Sequence, residues 1–475
     1  MDGETMVEDS GVQQIKSPKR SFPQKLRVKL KRLFPVIVWL PNYKWKEHTF
    51  FDMIAGVTIA CVSVPQSLAF AVLANVDLIY GLNTACFSAL VYTLLGTAPI
   101  SAFGPVAIGS MLSGEAISKF DKETSNFSKD EFVAALTISI GIFYLIMYVL
   151  RLGVLTVVFK KPFVSGYIMA CALHILIKSL RQLIGINVQT YYGYFNFFYN
   201  SIRIFSKVGE SHVPTLIISA VTMTVFLFNM IVLTPFLKKR SSIVIPIETI
   251  VMVTAIVFSY FLKFKDMGVA IVGTVPTGLP KIVPLNLNAY VEAFPEAVLI
   301  ALINYTTTTS MTLLFNPQMD REQEILAMAV SNIVCGNFQC ITIGNSMMRT
   351  MIAINLGIRT LFATMFSSFL LFIIILYAGP LFEPLPLTIL GCIIMTAVIK
   401  LLYERIKDII KFSRSKEDLF IFFATFLATL IIDVTVGLVV GAVLSLRTIL
   451  EGVVQNEEND REVEGHILLQ AKPTV

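Results

Sequence analysis

Two glycine-containing stretches decide the fold of this chain: ISAFGP at residues 100–105 and ITIGNS at residues 341–346. Each leads into an apolar run of about a dozen residues, near 104–117 and 345–356, whereas a bilayer core takes roughly 20 apolar residues per helix. The two runs are therefore too short to cross a bilayer unaided. Short, Gly/Pro-interrupted segments at corresponding places in two halves are typical of inverted-repeat transporters, whose substrate site lies near the bilayer midplane.

The composition of the whole chain indicates a membrane protein. Hydrophobic residues make up 55% of the 475 residues and charged residues only 15%, which leaves too much apolar surface for a soluble domain. The apolar runs predict fourteen spans, near 52–74, 79–96, 104–117, 131–150, 162–179, 214–236, 243–262, 293–315, 323–338, 345–356, 359–379, 386–402, 417–433 and 435–451. Each half has an odd number of spans, so the two halves must lie in the membrane in opposite orientations. The sequence therefore predicts an all-α polytopic membrane protein with a 7+7 inverted repeat.

Basic residues predict the orientation in the membrane, because Lys and Arg in short flanks resist translocation. The segment before the first span is rich in them: Lys16, Lys19, Arg20, Lys25, Arg27, Lys29, Lys31, Arg32, Lys44 and Lys46. The loops after the predicted spans four, six and twelve are basic as well: Arg151, Lys160, Lys161, Lys238, Lys239, Arg240, Arg405, Lys407, Lys411, Arg414 and Lys416. Both termini are predicted to be cytosolic, with the plasma membrane as the expected location.

The basic N-terminal segment could instead be a nucleic-acid-binding arm. Its interleaved apolar residues favour a segment that lies along anionic lipid headgroups, so no nucleic-acid partner is predicted. The cysteines and histidines are scattered without metal-ligand spacing, and no nucleophile stands with a base: Cys61, Cys86, Cys171, Cys335, Cys340, Cys392, His48, His174, His212 and His466. We therefore expect no catalytic site, metal or cofactor, which argues against a membrane enzyme.

The residues after the two stretches predict an anion site. A helix that starts inside the membrane has unpaired N–H groups and about half a positive charge at its N-terminus, so two such ends facing each other attract an anion. Pro105 suits the first helical turn, and Arg349 adds a full charge where charge is costly. Other polar residues could complete the coordination: Gln66, Ser67, Ser110 and Thr350. Alternatively, Gly104-Pro105 is a helix kink, Arg349 snorkels or forms a packing ion pair, and Gln66 makes an interhelical hydrogen bond.

An ordered series of motifs runs through both halves: Asp52, Ala55-Gly56, Pro65-Gln66, Ala69-Phe70-Ala71, Leu73-Ala74, Tyr80-Gly81-Leu82, Gly96-Thr97, Gly104-Pro105-Val106-Ala107, Asp320, Gln323-Glu324, Ser331-Asn332-Ile333, Arg349-Thr350, Gly357, Arg359-Thr360, Thr425-Phe426, Ala428-Thr429, Gly437 and Gly441. In residue type, order and spacing the series resembles the sulfate permease (SulP) family of anion transporters. The resemblance covers the apolar part of the chain nearly end to end.

The resemblance implies two intertwined seven-helix repeats within a transmembrane anion transporter domain at 52–451, between a basic cytosolic segment at 1–51 and a short cytosolic tail at 452–475. Spans one to four and eight to eleven would form a core domain that moves against a gate domain of the other spans. The implied function is secondary or exchange transport of a small inorganic anion by elevator-type alternating access. Sulfate is the first choice of substrate, with chloride, bicarbonate and oxalate as further candidates.

The resemblance also implies a substrate site between spans three and ten, lined by span one. Carried over by position, its residues are Gln66, Phe70, Val106, Ala107 and Arg349. An aromatic ring such as Phe70 offers a positive edge to an anion, although simple packing would also explain it.

Three departures from the family pattern affect these expectations. Met348 stands where the family usually has a small serine before the arginine, so Met348 enters the predicted site. Because a thioether donates no hydrogen bond, Ser346, one turn earlier, is expected to take the place of that serine. The carboxylate that proton-coupled relatives carry midway along span eight is missing between Glu296 and Asp320. The family normally appends a cytosolic STAS domain, but only about 24 residues follow Glu451, too few to bury a core; a naturally short member and a trimmed chain both stay open.

Several alternatives remain at this point. Nucleobase carriers share the half-helix site, but they prefer acidic residues in the middle of spans eight and ten, where this chain has none. A passive anion channel or a voltage-responsive membrane protein of the same fold is the second possibility. Gly437 and Gly441 form a small-xxx-small pair that favours packing inside the gate domain over dimerisation, and a homodimer stays possible.

Overall fold

The computed structural model describes residues 30–31, 33–120, 126–153, 160–188, 190–191, 193–238, 245–358 and 360–451. Several sequence predictions concern residues outside these ranges. They are the basic segment up to Lys29 together with Arg32, the loop residues Lys239 and Arg240, Arg359 of the motif series, and the tail at 452–475.

The described residues form helices and one pair of two-residue strands. The elements are α1 (Val36–Trp39), α2 (Trp45–Leu73), α3 (Leu78–Leu95), β1 (Phe103–Gly104), α4 (Ala107–Lys119), α5 (Lys129–Val149), α6 (Lys161–Ile184), α7 (Asn196–Ser206), α8 (Val213–Leu237), α9 (Ile247–Leu262), α10 (Leu287–Phe315), α11 (Arg321–Gly336), β2 (Gly344–Asn345), α12 (Met347–Asn355), α13 (Phe362–Tyr377), α14 (Leu387–Phe412), α15 (Lys416–Leu427) and α16 (Val434–Glu451).

Eight of these described helices are long and apolar enough to cross a bilayer, by length and composition: α2, α3, α5, α6, α8, α10, α14 and α16. α9 and α13 are equally apolar but span only 16 residues each. Many large apolar side chains on the outer helix faces are exposed, among them Phe261 at 75% and Ile231 at 65%, as expected for a surface that meets lipid. The structure is thus a polytopic helical membrane protein, and the count of fourteen crossings stays a prediction.

The strands β1 and β2 are the exception to the all-α prediction. They pair antiparallel, with Phe103 opposite Asn345 and Gly104 opposite Gly344. Each strand leads directly into a short helix, the 13-residue α4 and the nine-residue α12. Extended backbone inside a helical bundle has no internal hydrogen bonds of its own, so the two stretches pair with each other.

The helices pack as two groups. The first helix group consists of α2, α3, α4, α5, α10, α11, α12 and α13, in which α5 lies against α10 and α11 while α13 lies against α2 and α3. The second helix group consists of α6, α8, α9, α14, α15 and α16, in which α6 lies between α14 and α15. The two groups meet where α2 contacts α14 and α9.

Glu324 fixes the end of α3 and thereby the position of β1. Its carboxylate accepts hydrogen bonds from the Tyr92 hydroxyl at 2.9 Å and from the Thr97 backbone N–H at 2.8 Å. The Tyr92 ring in turn stacks on Phe103 of β1, with ring centroids 3.8 Å apart. A buried carboxylate that is hydrogen-bonded in this way positions the backbone, so Glu324 serves the fold.

Gly437 and Gly441 face the interior of the second helix group. A side-chain carbon on Gly437 would clash with Thr429, and one on Gly441 would clash with the Phe163 ring and lie 2.8 Å from Thr425 Oγ1. The small-xxx-small pair therefore lets α16 approach α15 and α6 within one chain.

We predict that Gly441→Ala destabilises the protein by about 1–3 kcal/mol, the usual cost of overpacking a filled interior. The measurement is the thermal unfolding midpoint of purified protein in detergent, which should fall relative to the wild type. Gly209→Ala is the matched control, because no atom lies within 4 Å of the position that its new carbon would occupy. Equal midpoints for the Gly441 variant and the wild type would contradict the packing described for α16.

Candidate functional site

Asn345 joins the two extended stretches and α10 through one side-chain amide. Its Oδ1 accepts a hydrogen bond from the Ala102 backbone N–H at 3.1 Å and from the Thr350 hydroxyl at 2.8 Å. Its Nδ2 donates to Ser101 Oγ at 3.2 Å and to Thr312 Oγ1 at 3.1 Å. These four bonds fix the starts of α4 and α12 relative to each other.

The middle of α10 supplies further support for β2. Asn304 Nδ2 donates to the Ile343 carbonyl, and Thr308 Oγ1 accepts from the Asn345 backbone N–H at 3.2 Å. Asn304 also lies beside Gly344, where an added side-chain carbon would be 2.6 Å from its Oδ1. The polar, carboxylate-free stretch of α10 therefore acts as a scaffold for the strand pair.

Arg349 lies in the first turn of α12 and is only 1% exposed. Its Nη2 donates to the Pro105 carbonyl at 3.1 Å. Gly104 permits this approach, because a side-chain carbon there would lie 2.6 Å from Nη2. The other two guanidinium nitrogens, Nε and Nη1, are buried without a hydrogen-bond partner in the described part of the chain. Buried, unpaired donors on a cation are costly, so Arg349 is poised to bind a further acceptor.

The structure corrects the predicted place of Pro105. Proline was expected in the first turn of the helix, but α4 begins only at Ala107. Val106 has the extended angles φ −131° and ψ 146°, so it caps the helix from outside and Pro105 lies in the connection before it. Pro105 contributes its backbone carbonyl, which accepts the hydrogen bond from Arg349 Nη2.

Gln66 connects the two helix groups. It follows Pro65 inside α2, and its Nε2 donates to Glu248 Oε2 of α9 at 3.0 Å and to Met348 Sδ of α12 at 3.1 Å. This is the interhelical hydrogen bond that sequence reasoning held open as an alternative for Gln66. It also brings Gln66 and Met348 together, as a shared site requires.

Glu248 and Lys400 were absent from the predicted site. Glu248 is 5% exposed in the first turn of α9, and Lys400 on α14 places Nζ 3.9 Å from Met348 Sδ. Each residue is an ionisable residue inside a predicted span, Glu248 in 243–262 and Lys400 in 386–402. Ionisable residues inside spans are rare and usually have a role, so this signal could have found both.

A cavity of ≈ 600 Å³ opens beside this cluster at the boundary between the helix groups. Its charged lining comes from Glu248, Lys400 and Glu404 of the second group, and its thioether lining from Met347, Met348 and Met351 of the first. Of the predicted site residues, Met348 lines this cavity and Gln66 reaches it through two hydrogen bonds.

The other predicted site residues lie close to the strand pair or inside the helix packing. Phe70 is buried at 5% exposure and does not line the cavity. Val106 and Ala107 are half-buried at the start of α4, and the Ser346 backbone N–H donates to the Ala102 carbonyl at 3.2 Å. Two further hydroxyls that the sequence suggested, those of Ser67 and Ser110, are buried without a hydrogen-bond partner among the described residues.

The cluster carries two cationic side chains, Arg349 and Lys400, and the cavity beside it is lined by two carboxylates, Glu248 and Glu404. The described residues contain no group of three His, Cys, Asp or Glu side chains that could hold a metal ion. The arrangement therefore offers charge and hydrogen-bond donors beside a cavity that Met348 and Lys400 line, whereas Arg349 is not among the lining residues.

Comparison with known proteins adds independent support. The profile of the sulfate permease family matches residues 50–425 of this chain. Prestin of Danio rerio is 30% identical over 440 residues, which cover 88% of this chain and 59% of that protein. Solute carrier family 26 member 6 of Homo sapiens is 27% identical over 428 residues, which cover 87% of this chain and 56% of that protein. The chain thus spans less than two thirds of the length of these curated relatives.

Solved structures show the same fold. The murine Solute Carrier 26 family member A9 anion transporter in the inward-facing state matches with a TM-score of 0.83 at 23% identity, covering 95% of this chain and 77% of that one. The transmembrane domain of the cyanobacterium bicarbonate transporter BicA matches with a TM-score of 0.68 at 17% identity, covering 83% of this chain and 97% of that one. With a family profile that matches most of its length, this chain belongs to the sulfate permease family, a family of membrane anion transporters.

Proposed function

We propose that this protein is a secondary transporter that carries a small inorganic anion across a membrane by elevator-type alternating access. The observation that carries the proposal is the buried Arg349, whose Nε and Nη1 have no hydrogen-bond partner among the described residues. A cation that is held by a single carbonyl and has free donors inside a membrane protein is best explained by a ligand of opposite charge.

The two short helices add to the attraction for an anion. Neither α4 nor α12 has a side-chain hydrogen bond at its N-cap, so their first-turn N–H groups are available. The pairing of β1 with β2 places both helix starts next to each other. We propose that they are half-helices at the bilayer midplane whose positive ends face the bound anion.

The packing supports a division into two moving parts. In this proposal the first helix group is the core domain and the second is the gate domain, within fourteen crossings arranged as a 7+7 inverted repeat. The site lies on the boundary, because Gln66 and Met348 belong to the first group and Glu248 and Lys400 to the second. Movement of the core past the gate would carry Arg349 and its anion from one side to the other.

We further propose that both termini are cytosolic, in the plasma membrane. The cavity then opens to the cytosol, since its Glu404 is next to Arg405 in the C-terminal part of α14, one of the basic residues assigned to that side. The structure would represent an inward-facing state. A homodimer would use surfaces other than Gly437 and Gly441, because both glycines pack inside the chain.

Sulfate is the first substrate to test, with chloride, bicarbonate and oxalate as competitors. Arg349 and Lys400 supply two positive charges, and Arg349 keeps two donors without a partner among the described residues for a small anion. Uptake of labelled sulfate into proteoliposomes should saturate with concentration. Ionic currents far above carrier turnover would instead favour a passive channel of the same fold.

We predict that Arg349→Ala raises the half-saturation concentration for anion uptake about 10–100-fold, since a hydrogen bond to a charged group contributes about 1.5–3 kcal/mol. The measurement is labelled-anion uptake by proteoliposomes over a range of anion concentrations. Arg447→Ala is the control, because Arg447 is on α16 with its side chain 73% exposed and paired with Glu451. Normal uptake by the Arg349 variant at every concentration would show that the proposed site is wrong.

We predict that Met348→Ser lowers the half-saturation concentration for sulfate by up to about tenfold, because a hydroxyl adds one donor of about 0.5–1.5 kcal/mol where the thioether has none. The shorter side chain also frees Gln66 Nε2 from its contact with Met348 Sδ. Met351→Ser is the matched control, since Met351 lines the same cavity one turn further along α12. An equal change in both variants would assign the effect to cavity polarity rather than to position 348.

A further inference from the structure

A second cavity, of ≈ 310 Å³, lies on the boundary between the helix groups, apart from the cavity that Lys400 lines. The first helix group lines it with Asn75, just after α2, and with Ser118 near the end of α4. The second helix group lines it with Lys178 and Arg181 of α6. The two cavities have no lining residue in common. This space, the Arg181 cavity, is therefore distinct from the candidate transport site and touches both helix groups.

The lining of the Arg181 cavity is positively charged. Its described lining residues include two cations and no Asp or Glu. Glu115 of α4 lines a different cavity, of only ≈ 20 Å³, and accepts a hydrogen bond from Asn196 Nδ2 at 3.5 Å. Glu296 lines that small cavity as well and pairs with Lys119 at 2.9 Å. A concave site lined by charge of one sign concentrates ions of the opposite sign.

Arg181 is held in place by one of its guanidinium nitrogens. Its Nη1 donates to the Val188 carbonyl at 3.2 Å and to Thr190 Oγ1 at 3.1 Å, in the connection that follows α6. Its Nε and Nη2 make no hydrogen bond with the described residues. These two nitrogens form one edge of the guanidinium plane, and such an edge binds two oxygens of an oxyanion at once. Arg181 therefore offers a fixed, unoccupied bidentate edge.

The wall that the first helix group contributes is rigid. Asn75 Nδ2 donates to Ser118 Oγ at 3.4 Å, and Ser118 Oγ donates to the Gly114 carbonyl at 2.6 Å. A side-chain carbon on Gly114 would lie 2.5 Å from the Leu73 carbonyl oxygen, so the ends of α2 and α4 are in close contact. The Asn75 amide has two N–H donors and uses one of them here, which leaves the second for a ligand.

We propose that the Arg181 cavity is a second anion site, which binds a small divalent oxyanion of the sulfate class between Lys178 and Arg181 of one helix group and Asn75 of the other. Two cations match two negative charges, and the cavity has room for the anion with some of its water, since one water takes about 30 Å³ of liquid volume. The site stands on these contacts, while its effect on transport rests on the proposed function.

An anion in the Arg181 cavity would oppose the movement of the two helix groups. It contacts α6 of the second group and the end of α2 in the first, so sliding of one group past the other separates its partners. A ligand shifts a conformational equilibrium toward the state that it binds better, here the arrangement in this structure. In the proposed topology α2 begins on the cytosolic side, so the Arg181 cavity faces the other side of the membrane. High anion concentration on that side should therefore slow transport.

The first test is equilibrium binding of labelled sulfate to the purified chain in detergent. The wild type should show two classes of site. Arg181→Gln should weaken one class about 10–100-fold and keep the class that Arg349→Ala weakens. Lys207→Gln is the matched control, because Lys207 is a cation outside the cavity whose side chain is 46% exposed and lies 3.5 Å from Glu210. This control should keep both classes unchanged.

The second test is the initial rate of sulfate uptake by proteoliposomes over a wide range of external sulfate. The wild-type rate should rise, pass through a maximum and fall, because the Arg181 cavity fills at high concentration. In Arg181→Gln the fall should be absent over the same range, whereas Lys207→Gln should keep it. Two classes of binding site without any fall in the wild-type rate would overturn the effect on transport.

Other outcomes separate the second site from the proposed function. A single class of site in the wild type, or two unchanged classes in both Arg181→Gln and Lys178→Gln, would overturn the inference. Saturable uptake that depends on Arg349 would in that case leave the proposed function intact. Two classes of site without saturable uptake of any anion would instead overturn the proposed function and keep the second site. If Arg181→Gln does not fold, Lys178→Gln makes the same test from the neighbouring turn of α6.

Discussion

The pairing of β1 with β2 is the contact on which the candidate site depends. Inside a helical membrane protein the backbone groups of an extended stretch need partners, and each stretch supplies them to the other. The pairing fixes where α4 and α12 begin and places the Pro105 carbonyl within 3.1 Å of Arg349 Nη2. Asn345 and the polar stretch of α10 then hold the pair in one register. The same geometry holds the Arg349 guanidinium by one carbonyl and leaves its Nε and Nη1 without a partner among the described residues.

The sequence predicted the parts of this arrangement that have local signals. Both interrupted stretches, the short helices after them and the buried Arg349 follow from apolar run length, glycine and proline positions, and a charge inside an apolar segment. That the two stretches would pair as strands was not predicted, because strand pairing across about 240 residues of chain depends on the whole fold. Pro105 was expected in the first helical turn but lies two residues before the helix start, since a proline marks a helix start only to within a residue or two.

Glu248 shows a second limit of sequence reasoning. A carboxylate was sought midway along span eight, where proton-coupled relatives carry it, and its absence there was taken to remove the obvious proton carrier. The structure brings a carboxylate from α9 to the same cluster, through a contact between residues 182 positions apart in the chain. Residue spacing cannot reveal which of several buried ionisable residues meet, because that depends on how the helix groups pack. The informative signal was the rarity of charge inside an apolar span.

The position of the cluster on the boundary between the helix groups has a mechanical consequence. The hydrogen bond from Gln66 to Glu248 and the contact of Lys400 with Met348 both join the two groups. If the first group moves past the second, both contacts must break, because each joins a residue of one group to a residue of the other. The same cluster therefore lines the candidate site and joins the helix groups, so a relative movement of the groups would change the site itself.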